Sequence, residues 1–147
     1  MIEFAVIAMP RSGTAWASVF LGDGITCLHD PLSNNTLDDL AERDNIGVSC
    51  TALWMHPEFI YNNVKRWVII NADKERTNRF AEANNLKSIP CAAFEDFTKL
   101  RGTRINMQDL FNEDKARDIF EYLRPNSKFD SDRFNQLKEL NITSRMI

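Results

Sequence analysis

Residues 5–16, AVIAMPRSGTAW, decide the fold of this 147-residue chain. The apolar run over residues 4–8 predicts a strand, and the run over residues 15–21 predicts a helix that follows it directly. Between them lies a short turn that contains Gly13. A strand that passes through such a turn into a helix directs backbone N–H groups and the positive end of the helix dipole at one point. The stretch therefore predicts a loop that binds a phosphate or sulfate group.

The side chains of this turn add hydrogen-bond donors, but two residues of the common nucleotide-binding loop are missing. Arg11 contributes a positive charge, and Ser12 and Thr14 contribute hydroxyl groups. When the Walker A pattern G-x-x-x-x-G-K-[ST] is aligned on Gly13, Thr14 takes the lysine position and Ala15 takes the position of the magnesium ligand. A magnesium-dependent kinase or NTPase uses both missing groups to neutralise the transferred phosphoryl group. The sequence thus argues against that class of enzyme.

The composition predicts one globular domain over residues 1–147. Hydrophobic residues make up 44% and charged residues 27% of the chain, and the formal net charge is −3. This balance favours neither nucleic acid nor an anionic membrane as a partner. No leader or membrane-spanning segment is predicted, and three scattered cysteines argue against a disulfide framework or a metal site. We expect a cytoplasmic protein whose thiols are small buried residues: Cys27, Cys50 and Cys91.

Strand-like and helical runs alternate along the chain, which predicts parallel strands joined by crossover helices. The strand-like runs cover residues 4–8, 25–28, 46–51 and 67–70, and the helical runs cover residues 15–21, 37–43, 57–63 and 74–85. Residues 89–100 form either a short helix or a loop, and residues 103–107 suit one more edge strand. Two amphipathic helices follow, over residues 113–123, which Asn112 can cap, and 130–140. The predicted fold class is α/β, a three-layer P-loop NTPase-like fold with a mainly parallel sheet of about four or five strands flanked by helices.

The string Pro-Arg-Ser-Gly-Thr-x-Trp resembles the 5′-phosphosulfate loop of sulfotransferases that use 3′-phosphoadenosine-5′-phosphosulfate, PAPS. Residues 105–110 and the helical run after them resemble the family's Tyr-Glu-Asp-Leu strand end and the helix that follows it. Residues 129–137 resemble the endings of small sulfotransferase-like proteins from bacteria and phages. The resemblance implies PAPS, or its product 3′-phosphoadenosine-5′-phosphate, PAP, as the cofactor, without a metal. It implies that the loop residues contact that cofactor: Pro10, Arg11, Ser12, Gly13, Thr14 and Ala15. Arg11 would also stabilise charge on the bridging oxygen during transfer.

A second sulfotransferase signature is altered in this chain. Asn71 stands at the position of the family's arginine that binds the 3′-phosphate, and Asp73 stands at the position of the following proline. The family's serine position falls near Arg79, which we therefore expect to contact the cofactor. Lys74 and Arg76 on the same helical run offer further positive charge, although an exposed charged helix face explains the run equally well.

Transfer to a hydroxyl or amine needs a group that accepts a proton. His29 and Asp30 follow the second predicted strand, whose carboxyl end faces the same edge of the sheet as the loop. They are the candidate catalytic bases, together with Arg11 as the charge-stabilising group. Ser49 and Thr51 would hold the acceptor, and His56 suits a surface or capping position.

The leading hypothesis is a sulfotransferase-like protein that binds PAPS or PAP and a small acceptor. The resemblance also implies that the protein is encoded by a phage and acts in the host cytoplasm. One alternative is a nucleotide or nucleoside kinase of similar fold. Another is a binding or interaction protein that kept the fold without the chemistry. Trp16, just after the loop, either stacks on an adenine ring or packs against the sheet.

Overall fold

The structure, a computed structural model, describes residues 1–10, 12–87 and 89–140. Within these residues five strands form one sheet, and every pair of neighbouring strands is parallel. The strands are β1 (Ile2–Ile7), β2 (Thr26–His29), β3 (Ile46–Cys50), β4 (Val64–Ile70) and β5 (Thr103–Ile105). Their order across the sheet is β2-β3-β1-β4-β5, so β1 is the central strand.

Seven α-helices accompany the strands in the described part of the chain. They are α1 (Thr14–Leu21), α2 (Leu37–Ala41), α3 (Pro57–Asn63), α4 (Lys74–Ala83), α5 (Cys91–Lys99), α6 (Glu113–Leu123) and α7 (Ser131–Glu139). Side chains just before several helices accept hydrogen bonds from backbone N–H groups of the first turn, which fixes where those helices begin. The capping residues of α2, α4, α6 and α7 are Thr36, Asp73, Asn112 and Asp130.

The helices cover both faces of the sheet, which makes a three-layer α/β arrangement. Alternate residues of β1 point to opposite faces, so Phe4 and Val6 join one buried cluster and Ala5 and Ile7 join the other. The first cluster holds α1, α6 and α7 against the sheet through side chains such as Phe20, Phe120 and Phe134. The second packs α2, α3 and α5 against the opposite face through side chains such as Leu40, Ile60 and Phe97.

The predicted α/β class with a parallel sheet is confirmed, and several boundaries are corrected. Residues 89–100, left open between helix and loop, contain helix α5. Strand β4 begins at Val64 rather than at residue 67, because α3 ends at Asn63 and the chain enters the sheet at once. Strand β5 ends at Ile105, where Asn106 begins a short 3-10 helix over Met107–Phe111.

The cysteine prediction is correct for one thiol only. Cys50 is buried, Cys27 is half-buried and Cys91 is exposed at the start of α5. Burial raises the pKa of Cys27 to about 12 and also raises the pKa of Cys50. Cys91 is exposed because it lies in the first turn of α5, and the residue of α5 that packs in the core, Phe97, comes later in the helix.

Candidate functional site

The loop after β1 lies at the carboxyl edge of the sheet, between the ends of β3 and β4. From β1 the chain moves through α1 to β2 on one side, and from β3 it crosses to β4 on the other side. In open α/β sheets, ligands bind in the crevice where the strand connections diverge in this way. The fold therefore places residues 8–10, 12 and 13 at the centre of the edge where a ligand is expected.

Gly13 gives the loop its shape. It is the N-cap residue of α1 and has a φ of 84°, in the left-handed region where a side chain is strained. A Cβ atom at this position would lie 3.2 Å from the Cγ atom of Met107. Among the described residues, no acceptor receives a hydrogen bond from the backbone N–H groups of Ser12, Gly13 or Thr14. These three donors, at the positive end of α1, suit an anion.

The remaining predicted loop residues are Pro10, Arg11 and Ala15. Arg11 lies outside the described residues, so its predicted roles stay predictions. The carbonyl oxygen of Pro10 accepts a hydrogen bond of 3.1 Å from the Thr77 hydroxyl of α4, and Thr77 is only 1% exposed. The carbonyl oxygen of Ala15 accepts one of 2.7 Å from Ser18 within α1. Thr77 thus ties α4 to the loop, a contact that the sequence analysis missed because 67 residues separate the partners.

A cleft of about 500 Å³ opens beside the loop, on the side of β4 and β5. Ser12 lines it together with residues that follow β4 and β5, such as Asn71 and Asn106. The Asn71 side-chain amide donates a hydrogen bond of 2.9 Å to the Asn106 side-chain oxygen, which joins the two strand ends. Asn106 is held in turn by Asp109, whose carboxylate accepts from the Asn106 backbone N–H; that hydrogen bond is the main cause of the lowered pKa of Asp109. The volume falls within the usual range of roughly 300–1,000 Å³ for small-molecule sites.

The three basic residues of α4 that the sequence analysis considered have different surroundings in the structure. Lys74 lines the cleft, but its ammonium group donates to the Cys91 sulfur at 3.1 Å and lies 5.6 Å from the centre of the Phe94 ring. Arg79 is absent from the cleft lining, and its guanidinium lies 4.0 Å from the carboxylate of Glu75 on the exposed helix surface. Arg76 lines the cleft, and no ion pair or hydrogen bond engages its guanidinium within the described residues. Arg76 is therefore better placed than Arg79 to contact a ligand in this cleft.

On the other side of the loop, next to β3, the two candidate bases lie beside Thr14. The Nε2 atom of His29 is 3.2 Å from the Thr14 hydroxyl oxygen and 3.2 Å from the Asp30 carboxylate oxygen Oδ2. The second carboxylate oxygen of Asp30, Oδ1, accepts hydrogen bonds from the backbone N–H of Thr51 at 2.8 Å and from its hydroxyl at 3.1 Å. The structure therefore brings His29, Asp30 and the loop together, as the sequence analysis expected.

Two residues expected to hold an acceptor are engaged elsewhere. Ser49 is fully buried, and its hydroxyl donates a hydrogen bond of 2.7 Å to the Thr14 carbonyl oxygen. Thr51 directs its hydroxyl at Asp30. The expectation for Ser49 is thus corrected, because alternation along β3 turns this side chain inward beneath α1. Ser49 and Thr51 support the loop and the carboxylate rather than facing the crevice.

Trp16 packs in the core and is only 3% exposed. Its ring stacks on Phe20 with centroids 5.0 Å apart, and its indole N–H donates a hydrogen bond of 3.0 Å to the Leu137 carbonyl of α7. Of the two alternatives for this residue, packing is the one observed. His56 is exposed at the N-cap of α3, without a side-chain capping hydrogen bond.

Within the described ranges, no group of three or more histidine, cysteine, aspartate or glutamate side chains is placed to hold a metal ion. No helix in the same ranges is long and apolar enough to cross a membrane. Comparison of the chain with protein-family models, with curated proteins and with solved structures found no match.

Proposed function

We propose that this protein binds PAPS or PAP with its 5′ anionic group on the Pro10–Ala15 loop, and that it transfers a sulfuryl group to a small hydroxyl or amine acceptor. The proposal includes the finer fold assignment, a P-loop NTPase-like arrangement. The observation that carries it is the set of three N–H groups without described acceptors, on Ser12, Gly13 and Thr14, at the start of α1 and beside a cleft of about 500 Å³.

The cleft suits the remainder of such a nucleotide. Its side-chain amides, including Asn71 and Asn106, offer donors and acceptors. The guanidinium of Arg76 has no ion-pair or hydrogen-bond partner among the described residues, and the same lining also holds the carboxylates of Asp73 and Glu75. The close contact that a Cβ at Gly13 would make with Met107 shows that the loop backbone approaches this side tightly. When bound, PAPS supplies the activated sulfuryl group. The residues of this chain bind its charged oxygens, orient the acceptor and take up a proton.

The acceptor belongs on the opposite side of the loop in this proposal. His29 and Asp30 lie there, next to Thr14, so a group bound to the loop has the nucleotide cleft on one side and a proton acceptor on the other. General-base catalysis needs an acceptor oxygen or nitrogen within about 3 Å of the base. We also propose the cytoplasm as the compartment, in keeping with the free thiols Cys27, Cys50 and Cys91.

Ligand-induced stabilisation tests the proposal. Thermal unfolding is measured with sulfate, PAP, ATP and GTP, each with magnesium and with EDTA. A ligand at a hundred times its dissociation constant stabilises the folded state by about 2.7 kcal/mol, which raises the melting temperature by roughly 5–11 °C for a chain of this size. We expect PAP to stabilise the protein equally in magnesium and in EDTA. A response to ATP that requires magnesium would favour the kinase alternative instead.

Arginine variants locate the site. Arg11→Ala should weaken PAP binding by about 1.5–3 kcal/mol, the range for a hydrogen bond to a charged group. Arg43→Ala is the matched control, since Arg43 is exposed and precedes the amino end of β3, at the opposite edge of the sheet. Arg76→Ala should also weaken PAP binding, whereas Arg79→Ala should not. The reverse pattern would restore Arg79 as the cofactor contact.

Transfer itself is tested by release of PAP from PAPS in the presence of simple alcohols, phenols and amines. Binding of PAP without turnover for any acceptor would favour the non-catalytic alternative.

A further inference from the structure

The contacts of Asp30 bear on which nitrogen of His29 carries a proton. Asp30 adopts a left-handed backbone conformation, with a φ of 45° and a ψ of 54°, and its N–H donates a hydrogen bond of 2.9 Å to the Ser49 carbonyl oxygen. This conformation is uncommon for a residue with a side chain, although aspartate adopts it more readily than most. The surrounding contacts hold the carboxylate against the start of the segment after β3.

Both carboxylate oxygens of Asp30 are engaged. The backbone N–H and the hydroxyl of Thr51 both donate to Oδ1, at 2.8 and 3.1 Å, and Oδ2 faces the Nε2 atom of His29 at 3.2 Å. An ionised carboxylate accepts hydrogen bonds and donates none. An imidazole nitrogen that faced it with a lone pair would be repelled, so the hydrogen of a neutral His29 belongs on Nε2. The Thr14 hydroxyl oxygen, 3.2 Å from the same Nε2, then serves as a second acceptor.

The other ring nitrogen of His29, Nδ1, has no hydrogen-bond partner among the described residues. The side chain is 24% exposed, so the ring is partly accessible to solvent. The hydrogen bond at one imidazole nitrogen sets the state of the other. A proton held on Nε2 leaves the lone pair on Nδ1.

We propose that Nδ1 of His29 is the atom that accepts the acceptor's proton, and that Asp30 and Thr51 are positioning residues that hold the other proton on Nε2. This base role rests on the proposed function, whereas the protonation pattern does not. As the acceptor's oxygen or nitrogen gives up its proton, that proton moves to Nδ1, and the resulting imidazolium keeps its Nε2–H directed at Asp30. Asp30 takes no proton in this step: its Oδ1 accepts from Thr51, and its Oδ2 lies 3.2 Å from Nε2 and orients the ring.

Nitrogen-15 NMR of the histidines in the unliganded protein tests the pattern. The chain has only two histidines, so exposed His56 is an internal control, and His56→Gln assigns the signals. For neutral His29 we expect a protonated Nε2, an unprotonated Nδ1 and an Nε2–H proton protected from exchange with water. We expect no such protection for His56. A proton on Nδ1 of neutral His29 in the wild-type protein would overturn the proposal.

Two substitutions test the positioning role. In Asp30→Asn, the amide oxygen retains the two donors of Thr51, so the amide NH2 group faces Nε2 and should drive the proton of His29 to Nδ1. Thr51→Val removes one of the two donors and should weaken the protection of Nε2–H, whereas Thr51→Ser should retain it. Amide spectra away from the site verify that each variant is folded. An unchanged His29 tautomer in folded Asp30→Asn would also overturn the proposal.

Turnover distinguishes this inference from the proposed function. With a working acceptor, Asp30→Asn should lower kcat on the order of 10²–10⁴-fold, the usual contribution of a general base, with little change in PAP affinity. If folded Asp30→Asn kept the wild-type rate, the base role of Nδ1 would be wrong. Failure of the wild-type protein to bind PAP or sulfate would instead overturn the proposed function and the base role together, and the spectra would still decide the protonation pattern.

Discussion

Replacing Gly13 by alanine tests the geometry of the loop directly, because the change adds one methyl group at the N-cap of α1. The new Cβ would have to adopt the left-handed backbone conformation of this residue, at a φ of 84°. It would also lie 3.2 Å from the Met107 Cγ atom and 3.6 Å from its sulfur. The variant thus combines backbone strain with crowding from the side chain that borders the cleft.

The two costs can be separated with a second glycine. Gly24 has a φ of 77°, and a Cβ there would meet no atom within 4 Å, so Gly24→Ala carries the backbone cost alone. A left-handed conformation costs a residue with a side chain about 1–2 kcal/mol. The crowding at Gly13 adds up to about 1 kcal/mol, since Met107 is flexible and needs to move by a few tenths of an ångström. We expect Gly13→Ala to destabilise the fold by about 1–3 kcal/mol and Gly24→Ala by about 1–2 kcal/mol.

Urea unfolding measures the two free energies, provided that the slope with denaturant is the same for all three proteins. Sulfate and PAP titrations then measure the loop. Gly13→Ala should weaken sulfate binding about tenfold or more, because a shift of the loop displaces at least one charge-assisted hydrogen bond of about 1.5–3 kcal/mol. Gly24→Ala should bind sulfate as the wild type does, since Gly24 precedes β2 at the opposite edge of the sheet.

Two outcomes would contradict this reasoning. Equal sulfate affinity in folded Gly13→Ala and Gly24→Ala would mean that the loop is not the anion site. A smaller loss of stability in Gly13→Ala than in Gly24→Ala would mean that the backbone conformation or the Met107 contact described above is incorrect.

Three further predictions concern stability and reactivity. Arg124→Met should destabilise the protein by roughly 2–4 kcal/mol in urea unfolding. The buried guanidinium of Arg124 donates to the carbonyl oxygens of Leu21 and Asp23 at the end of α1, and its loss leaves them without this donor. A cost no larger than that of an ordinary surface substitution would refute this prediction. Hydrogen bonds, chiefly from the Ser131 hydroxyl, lower the pKa of Glu113, so its stabilising effect is present above pH 4.5 and is lost as the pH falls through the lowered pKa. Glu113→Gln should therefore flatten the fall of unfolding free energy below pH 4.5, and an unchanged slope would count against the hydrogen bonds. Ellman's reagent should modify one thiol rapidly in the native protein, and Cys91→Ser should abolish that rapid reaction. The thiols of Cys27 and Cys50, whose pKa values are raised, should react only on unfolding.

The local pattern of the sequence determined most helices and strands. The helices predicted over residues 57–63 and 113–123 match α3 and α6, because Pro57 and Asn112 mark their starts within the same segments. The apolar runs over residues 4–8 and 67–70 predicted strands, which the structure shows as β1 and β4. The turn with Gly13 predicted the change from strand to helix at the carboxyl edge of β1.

Which residues meet at the site was only partly predictable. The position of His29 and Asp30 at a strand end implied the correct edge of the sheet, because parallel strands share that edge. The choice of Arg79 followed the position of a serine in the sulfotransferase signature, and Arg79 lies outside the cleft lining, 4.0 Å from Glu75. The hydrogen bond from Thr77 to Pro10 and the pair Asn71–Asn106 had no local signal, since each joins different elements.

The sequence by itself thus determined the α/β class, the alternation of elements and the loop that follows β1. Those features depend on apolar periodicity, capping and turn residues, which act over a few neighbouring positions. Only the tertiary structure decided the strand order β2-β3-β1-β4-β5, and with it the cleft on one side of the loop and the His29–Asp30–Thr51 contacts on the other. The physical reason is that strand order and side-chain contacts arise from the joint packing of both sheet faces, where partners such as Thr14 and Ser49 lie 35 residues apart.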